Sequence, residues 1–160
     1  MSVLLPSSPA DDEQGTAAPS ALVGLLAHLD TVYGFALTLT GDPGAAAELT
    51  EDVYASARDG LWVTLGGHGL RDRLLARCVS LFVERGSPQR VTTPSAGAVG
   101  LDTLLRALPW DERAAIALVD QLQSSYVAAA AVLGVDVGAL RELLHRGRAV
   151  LFIAFRAGAR

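Results

Sequence analysis

Between Ser125 and Arg148 the chain reads SYVAAAAVLGVDVGALRELLHRGR, and no other stretch restricts the fold as much. Ser125 is a residue type that caps helix N-termini, Ala129, Ala130 and Leu133 follow it at helical spacing, and Gly134 stands where a helix must stop and turn. Asp136 is a second N-cap. Beyond it Val137, Leu140 and Leu144 fall on one side of a further helix, leaving Arg141, His145, Arg146 and Arg148 to the outside or to the helix ends. Two short helices joined by a tight glycine turn, the second of them basic, form the arrangement that lays a recognition helix in a DNA major groove. An ordinary corner of two packed helices has the same spacing, so the pattern alone leaves both readings open.

The rest of the chain repeats the helical period. Met1 to Pro19 holds three prolines, several serines and the acidic run Asp11-Asp12-Glu13, a composition that cannot bury enough apolar surface to offset ordering, and residues 1–19 are expected to be a disordered tail. From Ala21 to Thr40 the residues Leu22, Leu25, Leu26, Leu29, Val32, Tyr33, Ala36 and Leu37 predict one long helix ended by Gly41. Asp42-Pro43 is a cap followed by proline at the first helical position, so a second helix starts at once and pairs antiparallel with the first. Its predicted inner stripe is Ala46, Leu49, Thr50, Val53, Tyr54 and Ala57; Glu48, Glu51, Asp52 and Asp59 make an acidic outer face.

A glycine-rich loop from Gly60 to Gly69 carries one large aromatic, Trp62, which fits either a core or a base-stacking role. Leu70 to Arg85 is helical again through Leu74, Cys78, Leu81 and Phe82, with Arg73, Arg77, Ser80 and Glu84 outward. Residues 86–100 are rich in Gly, Pro, Ser and Thr, lack any sustained period and read as a flexible linker. After them come a short helix near Leu101 to Leu108, a break at Pro109, a helix from Trp110 to about Leu122 and the helix-turn-helix, whose last helix runs on through Val150, Leu151, Phe152, Ile153 and Phe155. That apolar tail is expected to be buried. The fold class is therefore all-α, with two small helical domains, 20–85 and 101–160, joined by the linker.

With about half of its 160 residues hydrophobic, such a chain needs neither metal nor disulfide to build a core. The single cysteine, Cys78, the scattered His28, His68 and His145, and the absence of a signal-like start or a membrane-length apolar run lead us to expect a cytoplasmic protein without cofactor, metal or membrane contact. No nucleophile and base pair, phosphate-cradling loop or carboxylate pair suggests an enzyme. The net charge of −4 is unevenly spread: acids exceed arginines up to the linker, whereas the last helix carries Arg141, Arg146, Arg148, Arg156 and Arg160 against Asp136 and Glu142.

From Leu104 to Leu151 the sequence resembles the C-terminal DNA-binding domain of bacterial sigma factors of the extracytoplasmic-function group. The similarity is carried by Leu108-Pro109 with Asp111, Glu112 and Arg113, by Tyr126, by Leu133-Gly134-Val135 and by His145-Arg146-Gly147-Arg148. The stretch HLDTVYGFALTLTGDPGAAAELTEDVYASA resembles the core-polymerase-binding part of the second sigma domain, through its Leu-Thr-Gly-Asp-Pro hinge and the acids alternating with Leu49, Val53 and Tyr54. The two blocks occur in the family's order.

The resemblance implies a sigma factor that directs core RNA polymerase to promoters. Glu48, Glu51, Asp52 and Asp59 would meet the β′ clamp helices, and Arg141, His145, Arg146 and Arg148 the upstream (minus thirty-five) promoter DNA. The Leu70 to Arg85 helix, with Arg73 and Arg77, would approach the downstream (minus ten) element, and an anti-sigma factor is a further partner. The chain departs from the family where Val127, Ala128 and Ala131 replace glutamates, where Ala139 and Leu143 replace Thr and Arg, and where Val79-Ser80 replaces an Arg-Asn pair and Val83 a basic residue. Valine offers no donor to a base edge. A second reading follows from these departures: a sigma-like interaction protein that binds polymerase or an anti-sigma factor without reading promoters.

Overall fold

The computed structural model describes residues 23–59, 69–86 and 100–158. The tail 1–19, the Trp62 loop, the body of the expected linker and the Asp59 side chain lie outside the described residues. A short helical segment at 23–26 leads into α1 (Leu29–Thr40), followed by α2 (Pro43–Asp59), α3 (Leu70–Glu84), α4 (Leu101–Ala107), α5 (Trp110–Ile116), α6 (Tyr126–Leu133) and α7 (Val137–Gly158). Among the described residues there is no strand, and no helix is long and apolar enough to cross a membrane.

The turns form where the capping residues stand. Gly41 ends α1 at φ 71°, in the left-handed region, donating its N–H to Leu37 O at 2.8 Å. Asp42 then accepts from Ala45 N at 2.8 Å, which caps α2 just ahead of Pro43. Ala46, Leu49, Thr50, Val53 and Ala57 are buried as their spacing requires, and α2 packs along α1.

Three expectations are corrected. The first helix does not run unbroken from Ala21 to Thr40: His28 N–H bonds to Leu25 O, an i to i−3 closure that tightens the chain before α1. Its buried face is also rotated, with Leu25, Val32, Phe35, Ala36 and Leu39 inside and Leu26, Leu29 and Tyr33 exposed. The apolar end of α7 is not buried, because Val150, Phe152, Ile153 and Phe155 extend past the elements that cover the first half of the helix.

Residues 23–86 and 100–158 share one core. Helix α3 lies on α6, and α1 on α5. Phe82 meets the edge of Trp110 with ring centroids 5.9 Å apart. Polar contacts cross the same boundary. Arg113, 1% exposed, donates to Leu39 O at 2.7 Å and, within its own block, to Arg106 O at 3.1 Å and Leu108 O at 3.4 Å. Arg106 donates to Gly41 O, and Arg71 donates to Leu122 O at 2.9 Å and Ser124 Oγ at 2.6 Å. These are the carbonyls that helix ends leave without intrahelical partners. The Leu122 end is unusual: α5 widens into a π-helical segment at Ala117–Gln121, and Gln123 follows with φ 53°.

Candidate functional site

The helix-turn-helix is built by its caps. Ser125 Oγ accepts from Ala128 N at 3.1 Å, Gly134 turns at φ 68° while Val135 N reaches back to Ala130 O at 3.0 Å, and Asp136 accepts from Ala139 N at 2.8 Å. Ala129, Ala130 and Val132 of α6, with Leu140, Leu143 and Leu144 of α7, are buried between the two helices and the rest of the core. This packing fixes which side of α7 faces outward.

Arg141, His145, Arg148 and Phe152 stand at i, i+4, i+7 and i+11 on that outer side. With Tyr126 they line a shallow groove of about 340 Å³. The Arg141 guanidinium lies over the Tyr126 ring, 5.9 Å from its centroid, a contact that orients the fork while leaving its donor edge exposed. An exposed, oriented guanidinium in the second turn of a recognition helix has the donor pair that reads guanine O6 and N7.

The other two arginines are held by carboxylates of α5 and of the π-helical segment that continues it. Arg148 forms a two-pronged pair with Asp120, at 2.5 and 3.1 Å. The hydrogen bond to Asp120 keeps its guanidinium protonated more firmly than usual, partial burial opposing. Arg146 Nε donates to Glu112 at 3.0 Å, and the Glu112 side chain is only 10% exposed. Between them Gly147 is buried, and a Cβ there would come within 2.8 Å of Ile116 Cδ1. The missing side chain is what lets α7 lie close on α5. Arg146 therefore faces Glu112 rather than the groove.

Arg73 and Arg77 occupy the outer face of α3 and do not line that groove; Arg77 pairs with Glu84 at 3.3 Å. On α2, Glu48, Glu51 and Asp52 are exposed, and Asp52 is bonded to Arg85. Glu51 borders a second open groove, about 360 Å³, with Leu29, Asp30, Tyr33, Ala47 and Thr50. Sequence reasoning missed Leu29 and Tyr33 as surface groups. Their placement puts apolar anchors beside the acidic face, a combination suited to a protein partner rather than to bulk water. Tyr126, Phe152, Glu112 and Asp120 were also missed as parts of the site; Tyr126 alone carried an early signal, as one of the residues on which the resemblance rests, whereas Phe152 lies in the tail expected to be buried.

Among the described residues no three His, Cys, Asp or Glu side chains converge as a metal site would need. Cys78 is buried, and burial pushes its thiol up to about 12 despite the opposing charge of Arg85, so it is neither ligand nor nucleophile at neutral pH.

Comparison with known proteins agrees with this geometry. The family described as Sigma-70, region 4 matches residues 99–151, which span α4 to α6 and most of α7. The chain is 28% identical to the ECF RNA polymerase sigma factor SigE of Mycolicibacterium smegmatis, over 88% of this chain and 67% of that protein. Its fold is similar to that of the sigma factor RpoE from Bartonella quintana, solved in complex with the anti-sigma factor NepR. The TM-score is 0.68 at 22% identity, covering 86% of this chain and 97% of the other.

Proposed function

We propose that the chain, similar over residues 99–151 to Sigma-70, region 4 and over most of its length to an extracytoplasmic-function sigma factor, is a factor of that group that directs core RNA polymerase to promoters in the cytoplasm, acting as a binding factor and not as an enzyme. The observation that carries the reading is the groove side of α7. Arg141 is the base-reading residue, oriented by Tyr126 and exposed. His145 and Arg148 border the same groove, and a phosphate can exchange with Asp120 for the Arg148 guanidinium. Arg146 contributes charge from the flank. Arg73 and Arg77 on α3 give the downstream element backbone contacts only, since Val79 and Val83 bring no donor to a base edge.

Polymerase docks through Glu48, Glu51 and Asp52 of α2, with Leu29 and Tyr33 as apolar anchors in the adjoining groove. An anti-sigma factor is a further partner, as it is for the structurally similar RpoE. The test is DNA binding by the reconstituted holoenzyme. Arg141→Ala should cost about 1 to 3 kcal/mol on the preferred sequence and relax the preference among sequences. A wild-type holoenzyme without sequence preference, unaffected by the substitution, would leave only the sigma-like interaction protein.

A further inference from the structure

The promoter-directing reading leaves the apolar end of α7 without a role. Phe152 is 61% exposed and Phe155 71%, and both stand on the groove side of the helix, i+11 and i+14 from Arg141. The same side carries charge. Arg141 lies over the Tyr126 ring and has no carboxylate partner among the described residues, whereas Arg148 shares its charge with Asp120. One side of α7 therefore offers an unneutralised cation and, about 16 to 21 Å further along at 1.5 Å per residue, aromatic surface.

Residues 1–22, which lie outside the described residues, hold the complement. They contain Asp11, Asp12 and Glu13 and no Arg or Lys, and Val3, Leu4 and Leu5 precede the acids. Leu5 and Asp12 are seven residues apart, roughly 24 Å in an extended chain, close to the spacing between Arg141 and Phe155. The point of attachment fits as well. A Cβ at Gly24 would stand 4.0 Å from Leu70, and the next residue, Arg71, donates to Ser124 Oγ at 2.6 Å, two residues from Tyr126. The chain thus enters the body near the Tyr126 end of the groove, and the eleven residues from Asp12 to Val23 can span at most roughly 40 Å. Leading away from that end, the acids come first and the apolar residues second, the order in which α7 presents Arg141 and then Phe152. A second copy of the chain fits less well. Val150, Phe152, Ile153 and Phe155 expose roughly 450 Å² between them, about half of what each partner of a stable dimer buries. A tethered segment needs less, because its effective concentration is on the order of millimolar.

We propose that residues 3–13 lie along the groove side of α7 as an internal competitor of DNA, with Asp11, Asp12 and Glu13 against Arg141 and with Val3, Leu4 and Leu5 against Phe152 and Phe155. The carboxylates stand where phosphates would, so the segment weakens binding to every DNA sequence by the same factor. The competition with DNA rests on the promoter-directing reading; the contact does not, and the two are tested separately. In the full chain a spin label at Ser8→Cys, with Cys78 buried and unlabelled, should broaden the amide signals of residues 148–155. High salt, or the neutral variant Asp11→Asn/Asp12→Asn/Glu13→Gln, should restore most of that signal. The three acids belong to no described helix, so the variant alters no cap or core residue. Absence of broadening overturns the proposal. So does broadening that appears only on isotope-enriched, spin-free chains mixed with spin-labelled ones, which would make a second copy the occupant. On the reconstituted holoenzyme the neutral variant should bind all DNA sequences about fivefold more tightly with its preference among them unchanged, the effect of a few exposed ion pairs; unchanged affinity overturns the competitor role. Broadening in a protein whose holoenzyme has no sequence preference keeps the contact and refutes promoter reading, and sequence preference without broadening does the reverse.

Discussion

Replacing Arg113 measures how much one buried cation contributes to the fold. Its guanidinium is 1% exposed and holds Leu39 O, Arg106 O and Leu108 O at 2.7, 3.1 and 3.4 Å. Each hydrogen bond from a charged donor contributes about 1.5 to 3 kcal/mol, but the unpaired Nε and the desolvation of the charge offset part of that sum. Arg113→Ala strands the carbonyls and opens a cavity, so the net loss should be about 3 to 5 kcal/mol. Arg113→Met keeps most of the stem volume and should recover about 1 to 2 kcal/mol of it. Urea unfolding followed by circular dichroism reports total helix, and Trp110 fluorescence in a Trp62→Phe background reports the contact with Phe82. The fluorescence midpoint should fall further than the helical one. A loss under about 1 kcal/mol for Arg113→Ala, seen equally by both probes, would refute the assignment of Arg113 as the cap of α1.

Asp120→Asn should remove the carboxylate that competes for Arg148 and raise holoenzyme affinity for all DNA sequences alike, and Arg148→Ala should lower the salt slope of that binding by about one; an unchanged slope in Arg148→Ala would show that Arg148 meets no phosphate. Reversing charge at Glu48 and Glu51 should weaken core polymerase binding, mainly through slower association, with helicity unchanged. Cys78 should resist alkylation in the folded protein at pH 8 and react once urea unfolds it, as mass spectrometry would show. Its thiol pKa rises from 9.0 to about 12 on folding, so its contribution to stability is complete below about pH 9 and is lost as pH rises toward 12.

The local chemistry of the chain was legible. Ser125, Gly134 and Asp136 cap what they were expected to cap, and Gly41, Asp42 and Pro43 turn α1 into α2, because a cap acts on backbone groups within four residues. The inner stripe of α2 was legible because its other faces are polar. In α1 two apolar faces compete, one through Leu29 and Tyr33 and one through Phe35 and Leu39, and only packing against α2 and α3 decides between them. The exposure of Arg141, His145, Arg146 and Arg148 followed from the spacing of Leu140 and Leu144. Their partners did not: Asp120 lies 28 residues from Arg148, and Glu112 lies 34 from Arg146. The π-helical segment and the buried Arg113 were hidden for the same reason, since each answers to carbonyls or side chains distant in sequence.

The most direct test of the central claim is transcription from a promoter library by core RNA polymerase with and without the full chain. A factor that directs polymerase should give discrete transcripts that require the protein, start downstream of a shared pair of elements, and fall at least tenfold with Arg141→Ala. Stable binding to core polymerase with an unchanged transcript pattern would contradict it.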